Sequence, residues 1–201
     1  MSEDKLQDDI GVTQLVEVAG LREKFGDQVL SATTGLDCGV VVLARECIAD
    51  ACHYLKNVHG YEQMMDLCGV DLSEYPGHPD GAPRFEVVYN LLSIAHNRRL
   101  RLKVGANERD LVDSVTEVWP TANWFEREAF DMYGIIFNHH PDLRRLLTDY
   151  GFEGYPLRKD FPMSGRVEMF FDESQWRCVY RPNKLEDRVL VERTWPGVDR
   201  G

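Results

Sequence analysis

The chain has 201 residues, 43% hydrophobic and 28% charged, which fits a folded domain and excludes wholesale disorder. Its 34 acidic residues against 23 basic ones leave a net charge of −11, which argues against a coat for nucleic acid or an anionic lipid surface, since both need clustered cations. No apolar run approaches the ~18–20 residues of a membrane span. The start, Met1-Ser2-Glu3-Asp4, lacks the basic-then-apolar order of a secretory signal and the Arg-rich character of a transit peptide, so the protein is expected to stay where it is made. Cys38, Cys47, Cys52, Cys68 and Cys178 form no Cys-x-x-Cys pair, and free thiols in a reducing compartment are expected.

Helical spacing of Leu15, Val18, Ala19 and Arg22 predicts a helix from Val12 to Phe25, ended by Gly26. Val29–Thr33 and Val40–Leu43 read as a strand hairpin around the turn Gly35-Leu36-Asp37-Cys38-Gly39. A second helix runs from Glu46 to His59, with Ile48, Cys52 and Leu55 on one face, Ala51, Tyr54 and Val58 beside it, and Gly60 as its stop. Met64–Val70 follows as a strand and Asp71–Pro83 as a loop. Phe85–Leu92 and Arg99–Val104 make a second hairpin through His96-Asn97. Strict alternation puts Leu100, Leu102 and Val104 on the core and Arg99, Arg101 and Lys103 on the opposite face, which reads as a solvated face rather than a docking strip. Asn107–Trp119 is predicted as a short helix capped by Asn107 and stopped by Pro120, with Leu111, Val115, Val118 and Trp119 inward. This order implies an α+β fold: a two-layer domain with a mixed sheet and flanking helices over residues 1–122, a helix at 123–134, and a largely irregular extended arm over 135–201.

The stretch Asn123-Trp124-Phe125-Glu126-Arg127-Glu128-Ala129-Phe130-Asp131-Met132-Tyr133-Gly134 is the densest in information. Asn123 and Glu126 have capping-box spacing, Gly134 fits the position after the last turn, and Arg127 and Asp131 stand four apart, able to pair. Rings on nearly every side predict burial on more than one side. After His139-His140, Pro141 or Asp142 can start a short helix in which Leu143, Leu146 and Leu147 pack while Arg144 and Arg145 reach outward. The segment Asp149–Pro162 holds Tyr150, Phe152, Tyr155 and Phe161 close together, so it is expected to lie against its own domain or a partner.

These residues offer little chemistry. A helical di-iron site needs Glu-x-x-His, and no His follows Glu126 or Glu128 at that spacing. Adjacent His139 and His140 seldom aim at one ion, and a hydrogen-bonded buried imidazole is the plainer reading. Cys47-x4-Cys52, with His53 and Cys68, falls short of an iron–sulfur pattern, and core cysteines are expected instead. No glycine-rich phosphate loop and no Gly-x-Ser-x-Gly elbow is present.

One resemblance covers roughly residues 84–166. Glu126-Arg127-Glu128, Asp131-Met132-Tyr133, His140, Arg144 and Leu146-Leu147 resemble the signature of the thirty-kilodalton subunit family (the C subunits) of the proton-pumping NADH–quinone oxidoreductase, respiratory complex I. The likeness extends through Arg84-Phe85-Glu86, His96-Asn97-Arg98, Asp149–Gly154 and Arg158-Lys159-Asp160-Phe161-Pro162. Related subunits also occur in membrane-bound hydrogenases and other quinone oxidoreductases, and the Asp149–Pro162 stretch favours the NADH branch. The resemblance implies a structural subunit with no catalytic, metal or cofactor site of its own, FMN and iron–sulfur clusters residing in partner subunits. It further implies a place in the peripheral arm on the cytoplasmic side of a bacterial inner membrane, bound to subunits D and B, in the form not fused to D. Arg127, Asp131, Arg144 and Arg145 are then expected to lock the helix to the loop after it or to pair with the D neighbour.

Overall fold

A computed structural model of the chain describes residues 16–35 and 38–184. These form two compact units divided between Lys159 and Asp160. The first unit contains α1 (Val16–Phe25), β1 (Val29–Thr34), β2 (Gly39–Leu43), α2 (Ile48–His59), β3 (Gln63–Asp71), β4 (Phe85–Ser93), β5 (Arg98–Ala106), β6 (Leu111–Asp113), α3 (Ala122–Tyr133) and β7 (Ile136–Asn138). The expected residues 12–15 of the first helix and Leu36-Asp37 of the first turn lie outside the described residues.

Five strands make a mixed sheet in the order β1-β2-β5-β4-β3. All neighbours are antiparallel except β2 and β5, which run parallel from Gly39 opposite Leu100 to Leu43 opposite Val104. The β4–β5 hairpin pairs Phe85 with Ala106 and Ser93 with Arg98. Asn97 turns it at φ 50°, a conformation that Asn tolerates better than most residues.

The alternation expected along β5 is borne out. Leu100, Leu102 and Val104 are buried with Val87, Tyr89 and Leu91 of β4 and Val41 and Leu43 of β2. Against them pack Val18 and Leu21 of α1 and Ile48, Ala51, Cys52 and Leu55 of α2, closing one core between sheet and helices. At ~25 cal/mol per Å² of apolar surface, burying each Leu, Ile or Val contributes about 1.5–3 kcal/mol, so this cluster carries the stability of the unit. On the opposite face Arg101 donates to Asn90 at 2.8 Å and Lys103 pairs with Glu86 at 2.7 Å.

The helix faces need adjustment. Ala19 of α1 and Val58 of α2 are exposed. The buried face of α1 includes Glu17, whose carboxylate is held by Arg98 at 2.8 Å and by the Tyr61 hydroxyl at 3.4 Å.

The predicted helix over Asn107–Trp119 does not form. Asp110 accepts the Asn107 N–H at 2.9 Å and closes a polar turn. Leu111–Asp113 then pairs in parallel with β7, Leu111 opposite Ile136. Three valines and a threonine lower helix propensity here, Ser114 accepts the Thr116 N–H in local competition with a helix, and Asp113 takes a bond from Asn138 on β7. Leu111 is exposed, whereas Val115, Val118 and Trp119 are buried as expected.

In the second unit β8 (Val167–Asp172) and β9 (Arg177–Pro182) form an antiparallel hairpin, a regular element that its sequence did not announce. Val167, Met169, Phe171, Cys178, Tyr180 and Pro182 line one face, and the Glu168–Arg181 pair at 2.5 Å lies on the other.

Candidate functional site: a loop tied to the last helix

α3 ends at Gly134, which adopts φ 77° and donates its N–H to Phe130. A side chain at this position would meet Arg158 at 2.6 Å and Tyr155 at 2.7 Å, so only glycine fits. The start differs from expectation. Thr121 is the N-cap residue, without a side-chain bond, and Asn123 lies inside the helix. Glu126 closes no capping box. It is fully buried, and its Oε1 accepts the N–H of Val115 at 2.8 Å. The capping pattern fails because the core takes Glu126 for another use: it anchors the irregular segment after β6.

Buried residues surround α3, as the sequence implied, but many are polar: Glu126, Arg127 and Asp131 lie under the surface with Ala122, Ala129 and Met132. Arg127 and Asp131 do not pair with each other. Arg127 Nε donates to the Arg144 carbonyl at 3.1 Å and Nη2 to the Arg145 carbonyl at 3.2 Å. Oδ2 of Asp131 accepts the N–H groups of Leu146, Leu147 and Thr148 at 2.9, 2.7 and 2.9 Å. Its Oδ1 accepts the Thr148 hydroxyl at 2.5 Å and Arg145 Nη1 at 2.9 Å. Burial alone would push this carboxyl up; the bonds from Thr148, Leu147 and Leu146 win and hold it well below the usual range.

The loop therefore does not become the short helix expected after Pro141, because its N–H groups are committed to Asp131 instead of to its own carbonyls. Arg145, expected outward, points in. It also donates to the Gly154 carbonyl at 3.1 Å and lies over the rings of Phe152 and Tyr155. Leu143 packs against the core as expected, and Arg144 and Leu147 are exposed. His140 is the hydrogen-bonded buried imidazole: Nδ1 accepts the Asp142 N–H at 3.0 Å, which leaves Nε2 to donate to the Asn123 carbonyl at 3.1 Å. His139 adopts φ 61° and is exposed. From His140 to Thr148 the chain thus runs alongside α3 and is tied to it at Asn123, Arg127 and Asp131.

Beyond the loop, Leu157 donates to the Met132 carbonyl at 3.1 Å and Arg158 Nε to the Tyr133 carbonyl at 2.6 Å, satisfying the last turn of α3. Arg158 stacks on Tyr155 and Phe85 and reaches Glu108 at 3.1 Å. The Lys159 N–H donates to Asp71 at 2.9 Å. Asp71 is fully buried and gripped by Arg84 through both oxygens, at 3.2 and 2.9 Å. Burial again opposes ionisation, and Arg84 and the Lys159 and Ser73 N–H groups overcome it, so this carboxyl also stays well below its usual range. Asp71, Glu108 and Thr148 are members that sequence reasoning missed, and Arg84 enters that reasoning only through the resemblance, which names no group for it to bind. Asp71 and Lys159 stand 88 residues apart, a distance no local pattern spans. Of the signature residues, Glu128 is exposed, Met132 is buried, Tyr133 is half-buried against the core, Leu146 is half-buried and Asp160 is exposed in the second unit.

The Glu126 Oε2 atom, in contrast, is buried without a hydrogen-bond partner, 4.0 Å from His140 Nε2. Burial raises its carboxyl to about 7, against the lowering effect of Ser114 and Val115. No group of three or more His, Cys, Asp or Glu among the described residues is arranged to hold a metal ion. Cys47 and Cys52 are core residues, as read from the sequence, whereas Cys68 is exposed on β3.

The sequence and the fold have known counterparts. Residues 41–167 match the family described as the 30 kDa subunit of the respiratory-chain NADH dehydrogenase. A relative from Acidithiobacillus ferrooxidans, the C-type subunit of its NADH-quinone oxidoreductase, is 49% identical over 180 residues, covering 86% of this chain and 89% of its own length. A trypsin-resistant fragment of Nqo5 is 35% identical with a TM-score of 0.50, covering 55% of this chain and 86% of the fragment. An archaeal respiratory membrane complex, the membrane-bound sulfane sulfur reductase, contains a chain with a TM-score of 0.58 over 73% of this chain and 84% of its own; at 22% identity it shows a shared fold alone. The matched stretch holds α3, the tied loop and the Asp71 anchor. The chain belongs to the 30 kDa subunit family of the respiratory-chain NADH dehydrogenase, and is a subunit of a hetero-oligomeric NADH–quinone oxidoreductase.

Proposed function

We propose that this chain performs no redox step itself and serves as an assembly subunit of the peripheral arm, docked on subunits D and B of the quinone-reacting module at the cytoplasmic side of a bacterial inner membrane. FMN and the iron–sulfur clusters that carry electrons from NADH to quinone, coupled to proton translocation, reside in partner subunits. The observation that carries this reading is the use of the signature charges. Arg127 and Asp131 bind backbone of residues 144–148 and Arg145 binds that of Gly154, none of it in a helix or strand, while Arg158 ties its own irregular segment to the last turn of α3. A fully satisfied buried polar network rigidifies the chain it bonds, and support of this kind is what preorganises a binding surface. No helix among the described residues is long and apolar enough to cross a membrane, which suits attachment through protein contacts. The test is an affinity pull-down of the tagged chain from gently solubilised membranes. NADH–quinone reductase activity and the flavin and iron–sulfur subunits should come down with it. Recovery of the chain alone, with stoichiometric metal or intrinsic activity, refutes the reading.

A further inference from the structure

Three large side chains along the seam between α3 and its tied loop face solvent. Trp124 is 63% exposed, Leu147 is 63% exposed and Tyr150 is 90% exposed. Trp124 and Leu147 stand on fixed backbone, and Tyr150 follows three residues after Leu147. The Trp124 ring carries the Arg127 guanidinium 5.7 Å from its centroid, and the same guanidinium binds the carbonyls of Arg144 and Arg145. Leu147 hangs from its N–H bond to Asp131. Tyr150 lies within electrostatic reach of Arg144, itself 58% exposed and bonded to Asp142 at 2.7 Å. These atoms join the three side chains and Arg144 into one strip along the helix. A fold gains nothing in water from a rigid display of Trp, Tyr and Leu, since ordering them costs side-chain entropy and leaves apolar surface wet.

Trp, Tyr and Arg are the residue types that dominate binding energy at protein interfaces, most effectively when held in place before contact. The charge distribution agrees. The chain as a whole carries −11, yet Trp124–Arg166 holds seven acidic and six basic residues. The acidic excess lies elsewhere in the sequence, so the segment that carries this strip is spared the chain's net negative charge and presents its Arg144 to a partner's acceptor. We propose, resting on the assembly reading above, that Trp124, Arg144, Leu147 and Tyr150 form a preorganised docking strip for another subunit of the oxidoreductase. That subunit offers apolar slots for the two rings and Leu147, and an acceptor, carboxylate or carbonyl, for Arg144.

The test uses the tagged full chain in a bacterium lacking its own copy, with subunit stoichiometry measured by mass spectrometry after gentle solubilisation. Tyr150→Arg adds bulk and charge at a side chain the fold leaves exposed, and Trp124→Ala with Tyr150→Ala removes both rings. Tyr75→Ala, at a side chain 65% exposed in the loop after β3, is the control. The strip variants should lose at least about tenfold in co-purified partner subunits, with the melting temperature of the isolated chain unchanged, while Tyr75→Ala co-purifies like the wild type. Wild-type co-purification by the strip variants overturns the strip and leaves the assembly reading intact. Failure of the wild type to co-purify overturns both. An isolated chain that dimerises, and becomes monomeric with Tyr150→Arg, assigns the strip to a second copy and overturns the proposal, as does Tyr150-dependent binding to vesicles of phosphatidylethanolamine and phosphatidylglycerol.

Discussion

Replacing Asp131 with Asn tests the account of the tied loop most directly. The substitution keeps size and one acceptor oxygen but removes the charge. It also places an NH₂ group against donors: the three N–H groups of Leu146–Thr148 if the oxygen stays at Oδ1, or the Thr148 hydroxyl and Arg145 if it flips. Bonds to a charged acceptor are worth about 1.5–3 kcal/mol each before coupling, and removing one partner of a buried ion pair costs about 3–5 kcal/mol in all. An expected loss of about 4 kcal/mol corresponds to roughly 8–16 °C in melting temperature for a domain of this size. Urea and thermal denaturation at pH 7, followed by far-UV circular dichroism, read it. The acid limb supplies an independent sign. Because the folded state holds Asp131 below its ordinary 3.8, its contribution is present above that value and is lost as pH falls through the folded one. Asp131→Asn should therefore flatten part of the loss of stability below pH 4, leaving the share that belongs to Asp71. A cost under about 1 kcal/mol with an unchanged acid limb would falsify the claim that this carboxylate organises the loop.

Glu126 carries the opposite sign. Its carboxyl is raised from 4.5 to about 7, so wild-type stability should fall as pH rises from about 4.5 through 7, by up to roughly 3 kcal/mol at about 1.4 kcal/mol per pH unit. Glu126→Gln should abolish this slope in denaturation measured from pH 5 to 8, and a slope that persists would place the titrating group elsewhere. Gly134→Ala forces a side chain into φ 77° and against Arg158 and Tyr155, and should cost about 2–3 kcal/mol in the same assay; a neutral result would mean the turn relaxes freely. Thiol titration of the folded chain should modify the exposed Cys68 and Cys178, Cys68 slowed because desolvation and Asp66 push its thiol up, and spare the buried Cys47 and Cys52 until denaturant is added. Rapid labelling of Cys52 would contradict the core described for α2.

Where one residue's fate is decided by neighbours a turn or a strand away, the sequence was readable. Leu100-Arg101-Leu102-Lys103-Val104 announced both its strand and its buried face, and Gly60 and Gly134 ended their helices as expected. Reading failed where a distant group set the outcome. Glu126 had capping-box spacing, but Val115, eleven residues earlier, claimed its carboxylate. Arg127 and Asp131 had ion-pair spacing, but backbone groups of residues 144–148 offered each a better partner. The segment 107–119 carried helix-like apolar spacing, yet β7 lay beside it and took it as a strand, a choice that only the tertiary fold can make. The resemblance identified which residues mattered in 126–160 without showing what each bonds to.

The positions of the buried charges tie these results together. A buried ion pair adds little net stability over well-packed hydrophobic residues, because desolvation offsets most of its attraction. Stability alone therefore does not account for Asp131, Arg127, Asp71 and Arg84 beneath one loop and one helix end. Their geometry does. A carboxylate has several lone pairs and can gather N–H groups from successive residues in an irregular chain, as Asp131 does from three in a row and Asp71 from Ser73 and Lys159. An apolar side chain would exclude water equally well but would leave those donors unsatisfied and the loop free to choose among shapes. The charges thus convert 140–159 from a loop with many conformations into a surface with one, and a surface with one conformation meets a neighbouring subunit without the ordering cost that a flexible loop incurs on contact.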